Sequence, residues 1–135
     1  SDVYKRQEAS FDFEGTEVFA SELEENEFLP AAGQGAVAME IRSENVAARE
    51  ALATINDEPT FLRITAERAF LHLLKAGCQT PVGAYTWFED EGSTLAMSVR
   101  VFDEDQPDKE PFIAEVKGTA AEPAALAHRL MEKRG

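Results

Sequence analysis

The chain contains a single cysteine, Cys78, third in the run AGCQTPVGAY. One thiol excludes an intrachain disulfide and a cysteine-rich zinc site, which leaves a free thiol, a modified one or a small inert side chain. Cys78 directly follows Gly77, at what the pattern makes the C-terminal end of a helix, and there the negative end of the helix dipole disfavours a thiolate. No histidine adjoins it in sequence, so nothing local activates it as a nucleophile. Its setting in a Gly-Cys-Gln-Thr-Pro loop, away from any apolar face, keeps a chemical role open beside the structural one.

Other residue types at suggestive spacing read as structural. The Gly-Gln-Gly at Gly33 to Gly35 lacks the third glycine and the following helix that a dinucleotide-binding loop needs to present its amides; it is read as a hinge or a close backbone approach. His72 and His128 each lie in a helical stretch without ligand-spaced partners. Glu67 and Arg68 could do acid–base work, but on a helix they read as a packing ion pair. Asp90 with Glu91, and Asp103 with Glu104 and Asp105, lack the ordered spacing of a calcium loop and read as a solvated acidic rim.

The elements that position these residues follow from periodicity. LPAAGQG, residues 29–35, is a connecting segment, and AVAMEI, with Val37, Met39 and Ile41 alternating, predicts a strand. Ser43 is placed to cap a helix through Ala48, Leu52 and Ile55. Asp57 and Pro59 open a second helix that presents Leu62, Ala66, Ala69 and Leu73 on one face and stops at Gly77. The period then changes to two: VGAYTWFE, the turn DEGS, TLAMSVRVF, an acidic loop, FIAEVKGTA, and a last helix opened by Glu122 and Pro123. Helix, three antiparallel strands and helix make an α+β unit, an open-faced sheet with helices on one face, over about residues 57–135. Residues 1–7 fit no pattern and are set aside as a non-native remnant; a short strand is expected at Thr16 to Phe19.

With 13 basic against 26 acidic residues the net charge is −13, which disfavours nucleic acid and anionic membranes as partners. A 44% hydrophobic content over 135 residues suffices for a core, and no apolar run approaches the roughly 18 residues of a membrane helix. A soluble, cytoplasmic protein is expected.

Three segments in order, LPAAGQGAVAME, RITAERAF and AGCQTPVGAY, resemble the hydroxymethylbilane synthase (porphobilinogen deaminase) family in its C-terminal part, most closely over Phe28 to Tyr85. The resemblance implies a transferase that condenses four porphobilinogen units, with loss of ammonia through azafulvene electrophiles, into the linear tetrapyrrole hydroxymethylbilane of haem biosynthesis. It implies that Cys78 carries a covalent dipyrromethane cofactor through a thioether, as a primer, and that Gln34, Gly35 and Ala36 contact that cofactor through the backbone. The implied partners are porphobilinogen and polypyrrole intermediates, and the implied parent is a monomer.

By the same resemblance, residues 57–135 are the cofactor-bearing domain. Residues 8–56 are remnants of two α/β domains of periplasmic-binding type: the end of the second, a hinge, and the strand and helix that return to the first. The family's catalytic Lys-Asp and substrate-binding Arg-Arg pairs occur nowhere in these 135 residues, and Ala-Gly-Cys-Gln-Thr-Pro stands where Gly-Gly-Cys-Gln-Val-Pro is usual. The chain is therefore expected to hold no catalytic residue and to be inactive alone. A reading of a different class is a stand-alone α+β binding or regulatory module whose cysteine is structural.

Overall fold

The computed structural model of the chain describes residues 21–25, 27–75, 80–106 and 108–135. The remnant at 1–7, the strand expected at Thr16 to Phe19, and Gly77 with Cys78 lie outside the described residues.

Asp57, itself extended, accepts the Thr60 amide at 3.0 Å, which satisfies one orphan donor of the first turn of helix α2, Glu58–Leu74. Pro59 fits that first turn because its missing N–H has no partner there in any helix. The helix ends at a left-handed residue, as the pattern requires, but that residue is Lys75 (φ 54°), whose amide reaches the His72 carbonyl. The preceding helix α1, Val46–Ala53, is capped by Asn45, whose side chain accepts from Ala48, and Ser43 lies outside it.

Residues 36–41, expected as a strand, pair with no strand among the described residues. Alternation states which side chains a strand could bury, but a ladder needs a neighbour; here Val37 is 84% exposed. No residue of the expected apolar face of α1 is fully buried: Ala48 and Leu52 are half-buried, and Ile55, beyond the helix end, is 64% exposed.

The three period-two segments form one antiparallel sheet in the order β1 (Val82–Glu89), β2 (Thr94–Val101), β3 (Phe112–Thr119). The β1–β2 turn is made by Asp90, Glu91 and Gly92, all at positive φ, with the Asp90 carboxylate accepting from the Thr94 hydroxyl at 2.8 Å. Register places Ala84–Val99–Ala114 and Thr86–Met97–Val116 in rows on one face. Onto that face pack α2, through Ala66 and Phe70, and the last helix α3 (Pro123–Arg134), through Leu126, Ala127 and Leu130. Phe70, Leu95, Met97, Leu126 and Leu130 are fully buried, each stabilising by about 1.5–3 kcal/mol of transfer free energy. The sheet with helices on one face is the α+β arrangement read from the sequence.

Both sheet edges are covered. The free edge of β3 presents the Glu115 and Lys117 carbonyls, which accept from Lys133 Nζ at 2.7 Å and Arg129 Nη1 at 2.6 Å on α3. The free edge of β1 is covered by the chain itself at residues 29–31. No helix among the described residues is long and apolar enough to cross a membrane.

Candidate functional site

Residues 29–36 lie along β1 and then reverse. The Ala84 amide donates to the Pro30 carbonyl at 2.9 Å, and Ala31 makes an antiparallel bridge with Gly83. Gly83 permits this approach: a Cβ there would lie 2.7 Å from Leu29 Cβ. Beyond Ala31 the chain turns twice, with Gln34 N donating to Ala31 O at 3.0 Å and Ala36 N to Gly33 O at 3.3 Å. Gly33 and Gly35 adopt φ of 74° and 82°, which suits glycine. The Gln34 side chain folds back, its Oε1 accepting the Ala31 amide at 3.0 Å, so the turn is braced from within.

A buried carboxylate holds this turn. Glu67, on α2 and 5% exposed, accepts the Gly33 amide at 2.7 Å through Oε2 and the Thr86 hydroxyl at 2.6 Å through Oε1. Arg63 Nε donates to Thr86 Oγ1 at 3.1 Å, and its guanidinium lies 5.4 Å from the centre of the Tyr85 ring. Tyr85 stacks on Trp87, and its hydroxyl donates to Glu25 at 3.1 Å. Burial, and then the neighbouring Glu25 carboxylate, push the Tyr85 phenol above its ordinary value, so it stays a donor. The Glu67–Arg68 ion pair expected from the sequence is therefore not what Glu67 makes. Successive helix residues point about 100° apart, so a Glu67 turned inward leaves Arg68 exposed.

Cys78 and the rest of 76–79 lie outside the described residues; the chain on either side of them is fixed. Before them stands the Lys75 cap, and a shallow cleft of about 460 Å³ is lined by Arg68, Leu71, His72 and Lys75. After them, Phe102 N donates to Pro81 O at 3.0 Å and β1 begins. Of the residues the resemblance implicates, Gln34 and Gly35 are exposed and Ala36 half-buried, all on the turn that Glu67 anchors. His128 is exposed on α3, and Asp103 pairs with Lys109 at 2.9 Å.

Sequence reasoning missed Glu67, Thr86 and Gly83 as the parts that seat the turn. Two signals were available. Thr86 falls in the inward alternation of β1 between Ala84 and Phe88, where a hydroxyl needs a partner. Glu67 sits next to Ala66 and three residues before Phe70, inside the apolar stripe.

A family model described as the C-terminal domain of porphobilinogen deaminase matches residues 61–133, more than half of the chain. The chain belongs to this family. Curated relatives agree: the porphobilinogen deaminase of Thermus thermophilus is 40% identical over 105 residues, covering 77% of this chain and 34% of that protein. That of Alkaliphilus metalliredigens is 38% identical over 119 residues, covering 87% of this chain and 37% of that protein. That of Brevibacillus brevis reaches 51% over 57 residues, 42% of this chain and 18% of that protein. The chain thus spans about a third of the length of the first two relatives. The family match runs through Cys78 and takes in nearly all of α2, the whole sheet and most of α3.

Proposed function

We propose that the parent protein is a cytoplasmic hydroxymethylbilane synthase, a transferase that condenses four porphobilinogen molecules with loss of ammonia, and that residues 57–135 are its primer-bearing domain. The observation that carries this is the family match over residues 61–133, which contains the chain's only thiol. Cys78 would hold a dipyrromethane by a thioether, with the backbone of Gln34, Gly35 and Ala36 beside it.

The described residues suit such a group. A Cβ at Gly33 or Gly35 meets nothing within 4 Å, so the turn's backbone is open to a ligand. Arg68, His72 and Lys75 gather hydrogen-bond donors on the last turns of α2, Lys75 only three positions before Cys78. Donors of this type fit the acetate and propionate groups of a pyrrole. When attached, the dipyrromethane supplies the carbon nucleophile from which a pyrrole chain grows. This chain's part is to tether and orient: Glu67 fixes the turn, Thr86 fixes Glu67, and no described residue is needed to move a proton.

Residues 8–56 are assigned to the parent's other domains. The exposed Val37, Met39, Val46 and Ile55 support this, since so many apolar side chains in one short stretch suit a docked surface. The catalytic carboxylate and the arginines for substrate belong to the parent's remaining sequence, and the 135-residue chain alone is expected to show no turnover.

The test is the intact mass of the gene's full-length product made in cells that produce porphobilinogen. A mass increase matching two pyrrole units, a colour with acidic aldehyde reagent, and loss of both in Cys78→Ser support the reading. An unmodified mass sinks it and favours the stand-alone module.

A further inference from the structure

The segment Leu29 to Gly35 reads from its sequence as a hinge, yet most of it is tied down. Arg100 Nη1 donates to Glu27 O at 3.0 Å, Ala84 N to Pro30 O at 2.9 Å, and Gly33 N to Glu67 at 2.7 Å. Leu29 packs on Gly83 so closely that only glycine fits. The hydrogen bonds of residues 36–45, by contrast, stay local among the described residues and reach no further than Gly33 and Arg49. The change occurs within two residues, at Gly33 to Gly35.

At this boundary stands Glu67. Its two oxygens have different partners, one in the turn and one in the sheet, and Arg63 supports the Thr86 hydroxyl from α2. A carboxylate with one bond to a glycine amide and one to a β-strand side chain transmits the sheet's position to the turn. Burying a polar group is costly unless hydrogen bonds compensate, and both Glu67 oxygens have one.

We propose that Glu67 is a positioning residue, a latch that makes residues 29–34 part of the 57–135 unit. The inference rests on the reading above only in giving the turn a cofactor to serve. Any movement of that unit within the parent then carries the turn along with it.

Amide hydrogen exchange on the full-length product, with intact mass and steady-state kinetics, tests this. In the wild type, the Gly33 and Gln34 amides should exchange at least about tenfold more slowly than amides of a free chain. Glu67→Gln places an amide where both neighbours donate, so exchange at 29–34 should rise about tenfold while β2 is unchanged. The pyrrole mass should persist, and kcat should fall with KM within about twofold, because the turn positions without gripping substrate. Thr86→Ser, which keeps the hydroxyl, should behave as wild type. If Glu67→Gln does not fold, Thr86→Val carries the test through the same exchange measurement. Wild-type-like exchange at 29–34 in the folded variant, or free-chain exchange at Gly33 and Gln34 in the wild type, overturns the latch. A wild type without pyrrole mass overturns the functional reading and leaves the exchange result standing.

Discussion

Substituting Gly83 by alanine tests the seam between residues 29–31 and the sheet, and a rule of thumb gives it the wrong sign. Glycine weakens a strand interior, so propensity alone predicts that Gly83→Ala stabilises β1. The contact says otherwise. The new Cβ would lie 2.7 Å from Leu29 Cβ and 3.2 Å from the Leu29 carbonyl oxygen. Carbon atoms rest about 3.5–4.0 Å apart, so segment and strand must part by about 1 Å. The Ala84–Pro30 hydrogen bond, 2.9 Å long, would then stretch past the usual limit of about 3.2 Å. Overpacking in a closed core costs about 1–3 kcal/mol, but this seam lies at a sheet edge and can open. The cost is therefore set by the bond released, about 1 kcal/mol, which is about a fivefold faster exchange of the Ala84 amide. Leu29→Gly removes the colliding atom, so the cycle of Gly83→Ala, Leu29→Gly and the double variant should show a favourable coupling of at least about 0.5 kcal/mol. Exchange at Ala84 within twofold of wild type in Gly83→Ala, or a cycle that closes to zero, refutes the reasoning.

Other outcomes follow from the same structure. Phe70→Ala, at a fully buried position on α2, should cost about 3–5 kcal/mol in chemical denaturation, because the facing helix and sheet cannot both close on the cavity. The Thr60 hydrogen bonds hold the Asp57 carboxyl below its ordinary value of 3.8. The cap's contribution is therefore fully present above that value and lost as pH falls below it; Asp57→Asn keeps the cap and should flatten this acid limb in a melting series. Arg129→Ala with Lys133→Ala frees the Lys117 and Glu115 carbonyls at the β3 edge, and should raise concentration-dependent self-association in sedimentation relative to the unsubstituted sequence.

The sheet and the helices of residues 57–135 were readable because two periods alternate cleanly there. Leu95, Met97, Val99 and Val101 fall on one side of β2, and Asp57 with Pro59 marks the start of α2. Those are local facts, and local rules decide them. Residues 36–41 show the opposite case, since their alternation is as clean as that of β2 but no neighbour in the described residues completes the ladder. The seating of the glycine turn was illegible for a related reason. Glu67 lies 34 positions from Gly33 and 19 from Thr86, and no period connects residues so far apart. Its neighbour Arg68 offered a nearer partner, and proximity in sequence misled because adjacent helix positions face different ways. Cys78 was legible as a residue to explain, but it lies outside the described residues, and its role stays the proposal made from the resemblance.

The last helix has an implication for how the protein is made. Residues 123–134 supply Leu126 and Leu130, which cover the sheet, and Arg129 and Lys133, which close its β3 edge. A ribosome that has delivered β1 to β3 has therefore released a sheet whose face lacks the cover of Leu126 and Leu130 and whose β3 edge is open to pairing. Nascent chains in that state are sticky. Stalling or premature termination before residue 123 should make this product a client of chaperones and proteases, whereas a lesion in residues 36–45, outside the folded core, would leave the same domain able to complete itself.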